Sequence, residues 1–274
     1  MRQHLVFVAM IIIAAGIIGF FLISNRNQTV AGSIVTIIST TSPDPQYPKV
    51  EKYEVPILMY HYIRDAENMD RLGQGLSVSP ANFELHMKYL RENDYETMKL
   101  VDLADPDLKK ISQLTYEKKK PIIITFDDGY EDAYTAAFLI LKKYKFIGTF
   151  FIIRNFVGTY GYLNRNQIAK MEKAGMEIGS HSIDHANLVG LFWKDQKKQI
   201  FNSKEKASIF CYPIGKYNAN SVALVKEAGY LAAVTTKNGV AREISDLYTL
   251  PRVRVENISP QTLMNKIEYA REHL

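Results

Sequence analysis

The chain has 274 residues, of which 47% are hydrophobic and 23% are charged, and its formal net charge is +5. This composition is typical of a globular protein and excludes a disordered one, and the length suits one large α/β domain or two small ones. The excess of Lys and Arg is mild and scattered, so it predicts a solvated surface and no nucleic-acid partner. A single cysteine, Cys211, excludes an intramolecular disulfide and a cysteine-rich zinc site.

The N-terminus carries an unbroken apolar run from Leu5 to Ile23. Nineteen helical residues, at about 1.5 Å each, span the hydrocarbon core of a bilayer. The run is longer than the apolar core of a cleavable signal peptide, and the sequence SNRNQ follows it. We therefore predict a transmembrane signal-anchor over residues 1–23, a single-pass protein in the cell membrane, and an extracytoplasmic remainder. Cleavage of the segment would make the protein secreted instead.

After the apolar run, the chain becomes rich in Ser, Thr, Asn and Pro, with TTSPDPQYP at the centre of this stretch. Such a composition indicates a flexible or partly extended tether. We assign residues 24–53 to an extracytoplasmic linker and residues 54–274 to one globular domain, in which we find no internal repeat and no second linker.

The domain alternates short apolar runs with helical patterns. Strands are predicted at residues 55–60, 121–126, 148–153, 176–180, 208–213, 231–236 and 250–255, and helices at 79–94, 130–145, 164–175, before Gly229 and at 259–273. Two of these helices open with Ser-Pro, a cap followed by the residue favoured at the first helical position. This alternation predicts a parallel sheet with helices outside, either a barrel or a doubly wound sheet. In both, reactive side chains collect at the carboxyl ends of the strands.

Asp127 and Asp128 directly follow the predicted strand PIIITF, in TFDDGY. Adjacent carboxylates repel each other, so both ionise only where a cation or strong donors compensate them. A turn that caps the next helix would explain the same pair, because Asp is favoured at such positions.

His181 and His185 lie in GSHSIDH, again just after a predicted strand. An H-x-x-x-H spacing places two imidazoles on one side of a helical turn or tight loop, which is a known metal-binding geometry. A chance pair on a solvated turn is the alternative. His61, at the end of VPILMYH, is a weaker signal alone. Together, however, three strands bring these residues to one face, and one Asp with two His suffices for a catalytic metal.

These motifs, TFDDGY and HSIDH, resemble the first and second motifs of the polysaccharide deacetylases (carbohydrate esterase family 4, the NodB-homology domain), and CYPIGKYN resembles the third. The resemblance covers about residues 55–255. The opening VPILMYHYI is similar to the subgroup that deacetylates the poly-β-1,6-N-acetylglucosamine of biofilms. The resemblance as a whole implies a single distorted (β/α) barrel. It also implies a hydrolase that removes N-acetyl groups, as acetate, from an extracellular N-acetylglucosamine-containing polysaccharide. We expect a monomer.

The resemblance also implies roles for particular residues. Asp128, His181 and His185 would hold one divalent metal ion, zinc in the first place, although cobalt, nickel or iron would suit the same ligands. Asp127 would be the general base. His61 would replace the acid that other members of the family carry on a late Leu-His motif, which this chain lacks.

The third motif departs from the family pattern, because Cys211 stands where many members have Arg. Arg252, in LPRVRV, is expected to orient Asp127 instead, although a cation at the surface or sheet edge would be an alternative reading of it. Tyr212 and Pro213 are expected to contribute to substrate binding, with the Tyr212 backbone N–H helping to stabilise the oxyanion. The aromatic residues considered for stacking on sugar rings are Tyr60, Tyr62, Tyr130, Trp193 and Tyr212, of which most would instead belong to the core.

Three other functions compete with this one. A glycoside hydrolase would use two carboxylates across the sugar, but would leave the two histidines unexplained. A non-catalytic cell-wall or carbohydrate-binding protein could use the same scaffold, and an esterase acting on acetylated xylan could use the same site. The sequence does not distinguish biofilm polymer, peptidoglycan and chitin-like oligomers as substrates.

Overall fold

The computed structural model describes residues 47–67 and 69–273. The predicted anchor over residues 1–23 and most of the predicted linker lie outside the described residues. Within the described part of the chain, no helix is both long enough and apolar enough to cross a membrane.

A parallel β-barrel forms the centre of the domain. Its seven strands run in the order β1-β5-β6-β7-β8-β9-β11, and β1 pairs with both β5 and β11 to close the ring. β4 extends the sheet beside β5, β10 pairs antiparallel with β1, and β2 and β3 form a separate short pair. The strands are β1 (Glu54–Tyr60), β2 (Tyr62–Ile63), β3 (Ser77–Val78), β4 (Tyr95–Thr97), β5 (Lys120–Phe126), β6 (Thr149–Ile152), β7 (Glu177–Ser180), β8 (Ile209–Cys211), β9 (Ala232–Asn238), β10 (Val240–Arg242) and β11 (Leu250–Arg254).

Closure decides between the two predicted architectures in favour of the barrel. Leu58 at the centre of β1 pairs with Ile124 of β5 on one side and with Val253 of β11 on the other. Each of the seven apolar runs predicted as strands contributes one strand of this ring. Four short strands were not predicted, because two or three residues are too few to show a hydrophobic period: β2, β3, β4 and β10.

Helices lie between successive strands. They are α1 (Arg71–Leu76), α2 (Pro80–Glu92), α3 (Lys109–Tyr116), α4 (Phe138–Lys143), α5 (Arg165–Lys173), α6 (Trp193–Phe201), α7 (Ala219–Glu227) and α8 (Pro260–Glu272), with short 3₁₀ turns at Leu100–Ala104, Arg154–Phe156, Leu188–Gly190 and Pro213–Gly215. The two Ser-Pro openings are confirmed as helix starts, because the hydroxyls of Ser79 and Ser259 each accept a backbone N–H three residues on.

The helix predicted over residues 130–145 differs in its first half. The segment Ala133–Ala137 is a π-helix, and α4 follows it directly. The preceding residue, Asp132, accepts the backbone N–H of Ile63 at 3.1 Å and the side chain of Arg64 at 2.5 Å. These hydrogen bonds to the β2 region are tertiary contacts, so they cannot be predicted from hydrophobic periodicity. Short π-helical turns of this kind are frequent near functional sites.

Alternation along the strands divides the apolar side chains into two cores. Along β5, Ile122, Ile124 and Phe126 pack with the surrounding helices in one buried cluster. Ile123 belongs to a second cluster with Ile57 of β1 and other residues that face the barrel interior. The residue after Phe126 therefore points inward, and Asp127 is buried at the mouth of the barrel.

Tyr60, considered above for sugar stacking, lies in the outer core and is fully buried. Its hydroxyl lies 3.1 Å from His86 Nδ1, and His86 Nε2 lies 2.7 Å from the carbonyl oxygen of Ile258. A neutral imidazole satisfies both contacts by donating from Nε2 and accepting at Nδ1. The stacking role for Tyr60 is therefore wrong.

The His86 contacts predict a pH dependence of stability. Burial lowers the pKa of His86, so the folded protein binds fewer protons than the unfolded chain as the pH falls below about 6.5. The free energy of unfolding is then expected to fall on acidification, by at most about 1.4 kcal/mol per pH unit from this residue. Urea unfolding between pH 7.5 and pH 5 should show a smaller loss for His86→Gln than for the wild type. Replacement of the exposed His273 by Gln is the control, and an unchanged slope for His86→Gln would contradict the assignment.

Candidate metal and hydrolytic site

The predicted site residues meet at the carboxyl ends of the barrel strands. His61 follows β1, Asp127 and Asp128 follow β5, and His181 follows β7. His185 reaches the same place from the loop that continues beyond His181. Strands β1 and β5 are neighbours in the ring, and β7 lies two strands beyond β5.

Three of these side chains form a group that can hold a metal ion. Asp128 Oδ1 lies 3.3 Å from His181 Nε2 and 3.3 Å from His185 Nε2. The candidate ligand atoms all lie within 4.8 Å of one another. Asp128 and His181 are buried, whereas the His185 side chain is 30% exposed. The group therefore has an open side, as a catalytic metal with a water or substrate position requires.

Unusual backbone conformations place these ligands. Asp128, Ser182 and His185 have φ angles of 73°, 66° and 58°, in the left-handed region that non-glycine residues rarely adopt. Each costs roughly 1–3 kcal/mol, a cost that persists where surrounding contacts over-determine the conformation. Here the Ser182 hydroxyl accepts the His185 backbone N–H at 3.0 Å, and the Ser182 carbonyl accepts that of Arg154 at 3.1 Å.

His181 is oriented from behind by the third motif. Its Nδ1 lies 2.8 Å from the carbonyl oxygen of Cys211, to which it donates a hydrogen bond. This bond satisfies Nδ1 and leaves Nε2 facing Asp128, so Nε2 is the ring nitrogen that a metal would take, an arrangement that metal-bound histidines commonly use. For Asp128, burial would raise the carboxyl pKa, but the hydrogen bond and charge interaction with His181 leave it below its ordinary value.

Asp127 is held by a buried two-pronged contact with Arg252. The two terminal nitrogens of the guanidinium each donate to one carboxylate oxygen, both at 2.7 Å. The same side chain donates to the carbonyl of Thr235 at 2.8 Å and to the hydroxyl of Thr125 at 3.0 Å. Arg252 is 1% exposed, so the alternative of a surface cation is wrong. Burial would raise the pKa of Asp127, but Arg252 holds it well below its ordinary value.

His61 lies on the other side of Asp127, with Nε2 3.8 Å from Asp127 Oδ2. Its side chain is only 15% exposed. Burial lowers the pKa of His61 and outweighs the opposing effect of the Asp127 and Asp128 carboxylates. The imidazole is therefore mostly neutral near pH 7 in the free protein.

Comparison with known proteins identifies the family. A family model described as polysaccharide deacetylase matches residues 115–233, a range that contains both Asp-Asp and His-x-x-x-His. The Bacillus subtilis protein YxkH, whose name assigns it to the polysaccharide deacetylases, is 36% identical over 220 residues, which cover 76% of this chain and 74% of that one. The chain belongs to the polysaccharide deacetylase family.

Further relatives agree with this assignment. A poly-β-1,6-N-acetyl-D-glucosamine N-deacetylase of Staphylococcus aureus is 26% identical over 268 residues, covering 84% of this chain and 88% of that protein. The structure of the Streptococcus pyogenes deacetylase PplD, in complex with acetate, superimposes with a TM-score of 0.68 at 26% identity. It covers 78% of this chain and 98% of that chain.

In this polysaccharide deacetylase, the position of the Arg252 side chain accounts for the small residue, Cys211, in the third motif. Cys211 Sγ lies 3.4 Å from a terminal nitrogen of Arg252 and 3.6 Å from Asp127 Oδ2. All three groups are buried. An Arg side chain at position 211 would need the space that the Arg252 guanidinium occupies, so a small residue stands there.

Tyr212 and Pro213 of the third motif are both buried. The Tyr212 ring is fully buried and stacks on Tyr217 with ring centroids 4.8 Å apart, so stacking of Tyr212 on a sugar is wrong. Its backbone N–H donates to the carbonyl of Val234 over a long 3.3 Å. Pro213 is buried and begins the 3₁₀ turn Pro213–Gly215. Trp193, also considered for stacking, is half-exposed at the start of α6, where Lys197 lies over its ring.

An aromatic cluster borders the site, and sequence reasoning found only half of it. The Tyr62 and Tyr130 rings stack at 4.0 Å, Tyr162 lies 5.1 Å from Tyr130, and the Arg64 guanidinium lies 4.3 Å above Tyr62. We call Tyr62, Tyr130, Tyr162 and Arg64 the tyrosine cluster. Tyr62 and Tyr130 were candidates because they adjoin catalytic motifs. Tyr162 comes from a loop joined to the Gly129 region by backbone hydrogen bonds, for which the sequence has no local signal.

Proposed function

We propose that this polysaccharide deacetylase hydrolyses the N-acetyl groups of an extracellular N-acetylglucosamine-containing polysaccharide and releases acetate. The observation that carries the proposal is the pairing of two groups at one barrel mouth. Asp128, His181 and His185 form an open ligand set, and the Asp127 carboxylate is held ionised beside it by Arg252. One group suits a metal and the other suits a base, which is the combination that metal-assisted hydrolysis needs.

The ligand set would hold one divalent metal ion. Two imidazoles and a carboxylate suit zinc, and cobalt, nickel or iron are compatible with the same donors. When bound, the metal would lower the pKa of a coordinated water and polarise the acetamide carbonyl. The hydrogen bond from His181 Nδ1 to the Cys211 carbonyl supports this role, because it satisfies Nδ1 and leaves Nε2 directed at Asp128, where a bound metal would replace its proton.

Asp127 would act as the general base. A carboxylate whose pKa is held low by Arg252 is ionised at neutral pH and available to accept a proton from the attacking water. The rigid fork of the guanidinium also fixes the orientation of both oxygens, so little reorganisation is needed during the reaction.

His61 would act as the general acid. After water adds to the acetamide carbon, the carbon–nitrogen bond breaks, and the departing amine takes a proton from the His61 imidazolium, which returns to the neutral imidazole. Burial keeps the His61 imidazole mostly neutral in the free protein, so it must take up a proton before this step, and the Asp127 carboxylate, 3.8 Å away, favours that uptake. The Tyr212 backbone N–H could assist the oxyanion only by giving up its 3.3 Å bond to Val234.

The choice of polymer rests on relatives. The Staphylococcus aureus protein named for poly-β-1,6-N-acetyl-D-glucosamine aligns along 84% of this chain, so that polymer is the first substrate to test. The predicted anchor over residues 1–23 would hold the catalytic domain, residues 54–274, outside the cytoplasm, where such polymers occur. An acetyl-xylan esterase could use the same catalytic groups, whereas a glycoside hydrolase is disfavoured because Arg252 and the two histidines occupy both carboxylates.

The proposed function predicts metal-dependent release of acetate. The purified protein would be incubated with poly-β-1,6-N-acetylglucosamine, chitooligosaccharides, peptidoglycan and acetylated xylan. Each reaction would be run untreated, after EDTA, and after EDTA followed by zinc. We expect release from one amino-sugar polymer, a loss of at least about 100-fold with EDTA, and recovery with zinc, because the ligand set is essential to water activation. Release from xylan alone would identify an esterase, and release from none despite bound metal would favour a binding protein.

A further inference from the structure

A polar groove lies beside the tyrosine cluster on the catalytic face of the barrel. Its volume is about 510 Å³, within the range of small-molecule sites. Its wall comes from the stretch between β2 and α2 and from the segment that follows β11, and Ala66 is the only apolar side chain among the described residues that line it. The polar lining includes Arg64, Asp65, Glu67, Gln74 and Asn257.

Arg64 joins this groove to the catalytic centre. Its side chain lines the groove, while its guanidinium lies 4.3 Å from the Tyr62 ring and 5.6 Å from the Tyr130 ring. Tyr62 directly follows His61 in the chain, and Tyr130 lies two residues after the metal-ligand candidate Asp128. Arg64 therefore contacts both the groove and the tyrosine rings that adjoin the catalytic motifs.

Hydrogen-bonding groups for a sugar are available in the groove. Asn257 uses its side-chain oxygen for Ser79 and Asn82, which leaves its NH₂ group without a partner among the described residues. Gln74 donates its NH₂ group to the carbonyl of Met69, which leaves its side-chain oxygen free in the same sense. Amide groups of this kind bind sugar hydroxyls by ordinary donor and acceptor pairing.

The charge of the lining is negative. Arg64 is neutralised by Asp132, whose carboxylate lies 2.5 Å from the guanidinium. Asp65 and Glu67 are exposed, and neither has an ion-pair partner among the described residues. Among the described residues, the lining therefore carries two carboxylates without an ion-pair partner and no unpaired cation. Arg254 is nearby, but it donates to the carbonyl of Gly75 and does not line the groove.

Deacetylation turns a neutral acetamide into an amine, which binds a proton and becomes a cation. We infer that the groove binds a deacetylated, cationic glucosamine unit next to the sugar that is being deacetylated. The enzyme would then act faster on chains that already carry a glucosamine beside the reacting unit. This inference rests on the proposed function and adds to it a preference for one substrate pattern.

The test compares defined oligomers. Three β-1,6-linked pentamers would be used: one fully acetylated, and two with a single glucosamine on either side of the central unit. Acetate release by the full chain in detergent would give kcat/KM for each at low ionic strength. We expect one mixed pentamer to be preferred by about threefold to tenfold, because two exposed charge contacts are each modest. The preference should vanish in about 1 M salt, where the Debye length is about 3 Å.

Variants assign the preference to the groove. The double variant Asp65→Asn/Glu67→Gln is expected to lose the preference and to give the same kcat/KM on all three pentamers. The matched control, Glu117→Gln/Glu272→Gln, removes two exposed carboxylates at the opposite end of the barrel and should retain the preference. Equal rates for all pentamers in the wild type, or a preference that survives in Asp65→Asn/Glu67→Gln, would overturn the inference alone. Absence of acetate from every pentamer would exclude β-1,6-linked oligomers as substrates and overturn this inference, and absence from every polymer tested above as well would overturn the proposed function.

Discussion

Replacement of Asp127 by Asn is expected to lower kcat by about 100-fold to 10,000-fold, the usual contribution of a general base. The amide keeps the shape of the side chain but cannot accept the proton of the attacking water. The ligand set Asp128, His181 and His185 is untouched, so the variant should bind metal like the wild type. Acetate release and metal content, measured on the same preparation, separate loss of the base from loss of the metal.

The Asp127→Asn variant also leaves the Arg252 cation buried without its counter-charge. Removing one partner of a buried ion pair costs about 3–5 kcal/mol, so activity should be measured well below the unfolding temperature. Glu177→Gln is the matched control, because Glu177 is a buried carboxylate at the far end of β7 that accepts the backbone N–H groups of Leu100 and Val101. The Glu177→Gln variant should be less stable than the wild type but catalytically active. If Asp127→Asn kept more than about a tenth of wild-type turnover, the base would be another group.

Replacement of Arg252 by Met should have the largest effect on stability, a loss of about 3–5 kcal/mol in the free energy of unfolding. The variant removes the two hydrogen bonds to Asp127 and those to Thr125 and Thr235, and leaves Asp127 buried without a cation. Urea unfolding measures the loss. Activity should fall as well, because the carboxylate is no longer oriented and burial then raises its pKa.

The pH dependence of the Arg252→Met variant gives a second readout. In the wild type the folded pKa of Asp127 is depressed, so its stabilising contribution is present above the ordinary carboxyl value of about 3.9 and is lost as the pH falls below it. In the variant this contribution is absent, and the acid limb of the activity profile should move to higher pH. Arg252→Lys keeps the charge without the fork and should lie between the two.

Arg254 provides the control for both effects. It lies two residues further along β11 and is exposed. Arg254→Met removes the same kind of side chain from the same strand and should change the free energy of unfolding by less than about 0.5 kcal/mol. Comparable losses for Arg252→Met and Arg254→Met would show that the Asp127 contact contributes little.

Much of the architecture could be predicted from the sequence, because it depends on local order. Apolar runs of five or six residues separated by helical patterns specify a parallel sheet, and each of the seven runs contributes one barrel strand. The helix starts at Ser79 and Ser259 were equally readable, since a cap is a contact within four residues. Asp127, Asp128 and His181 were located for the same reason: each directly follows a strand, and the ends of parallel strands share one face.

The tertiary structure alone decided the features that depend on contacts between distant segments. Barrel closure required β1 to pair with both β5 and β11, which no local pattern shows. The Arg252 side chain could be a surface cation or a partner of Asp127, and only the inward direction of its position on β11 settled the choice. Tyr60 and Tyr212 looked like sugar-binding aromatics, but packing buried both rings. The position of a reactive residue in the sequence determines which strand end carries it. The side chains that it contacts at that end are determined by the closure of the sheet into a barrel.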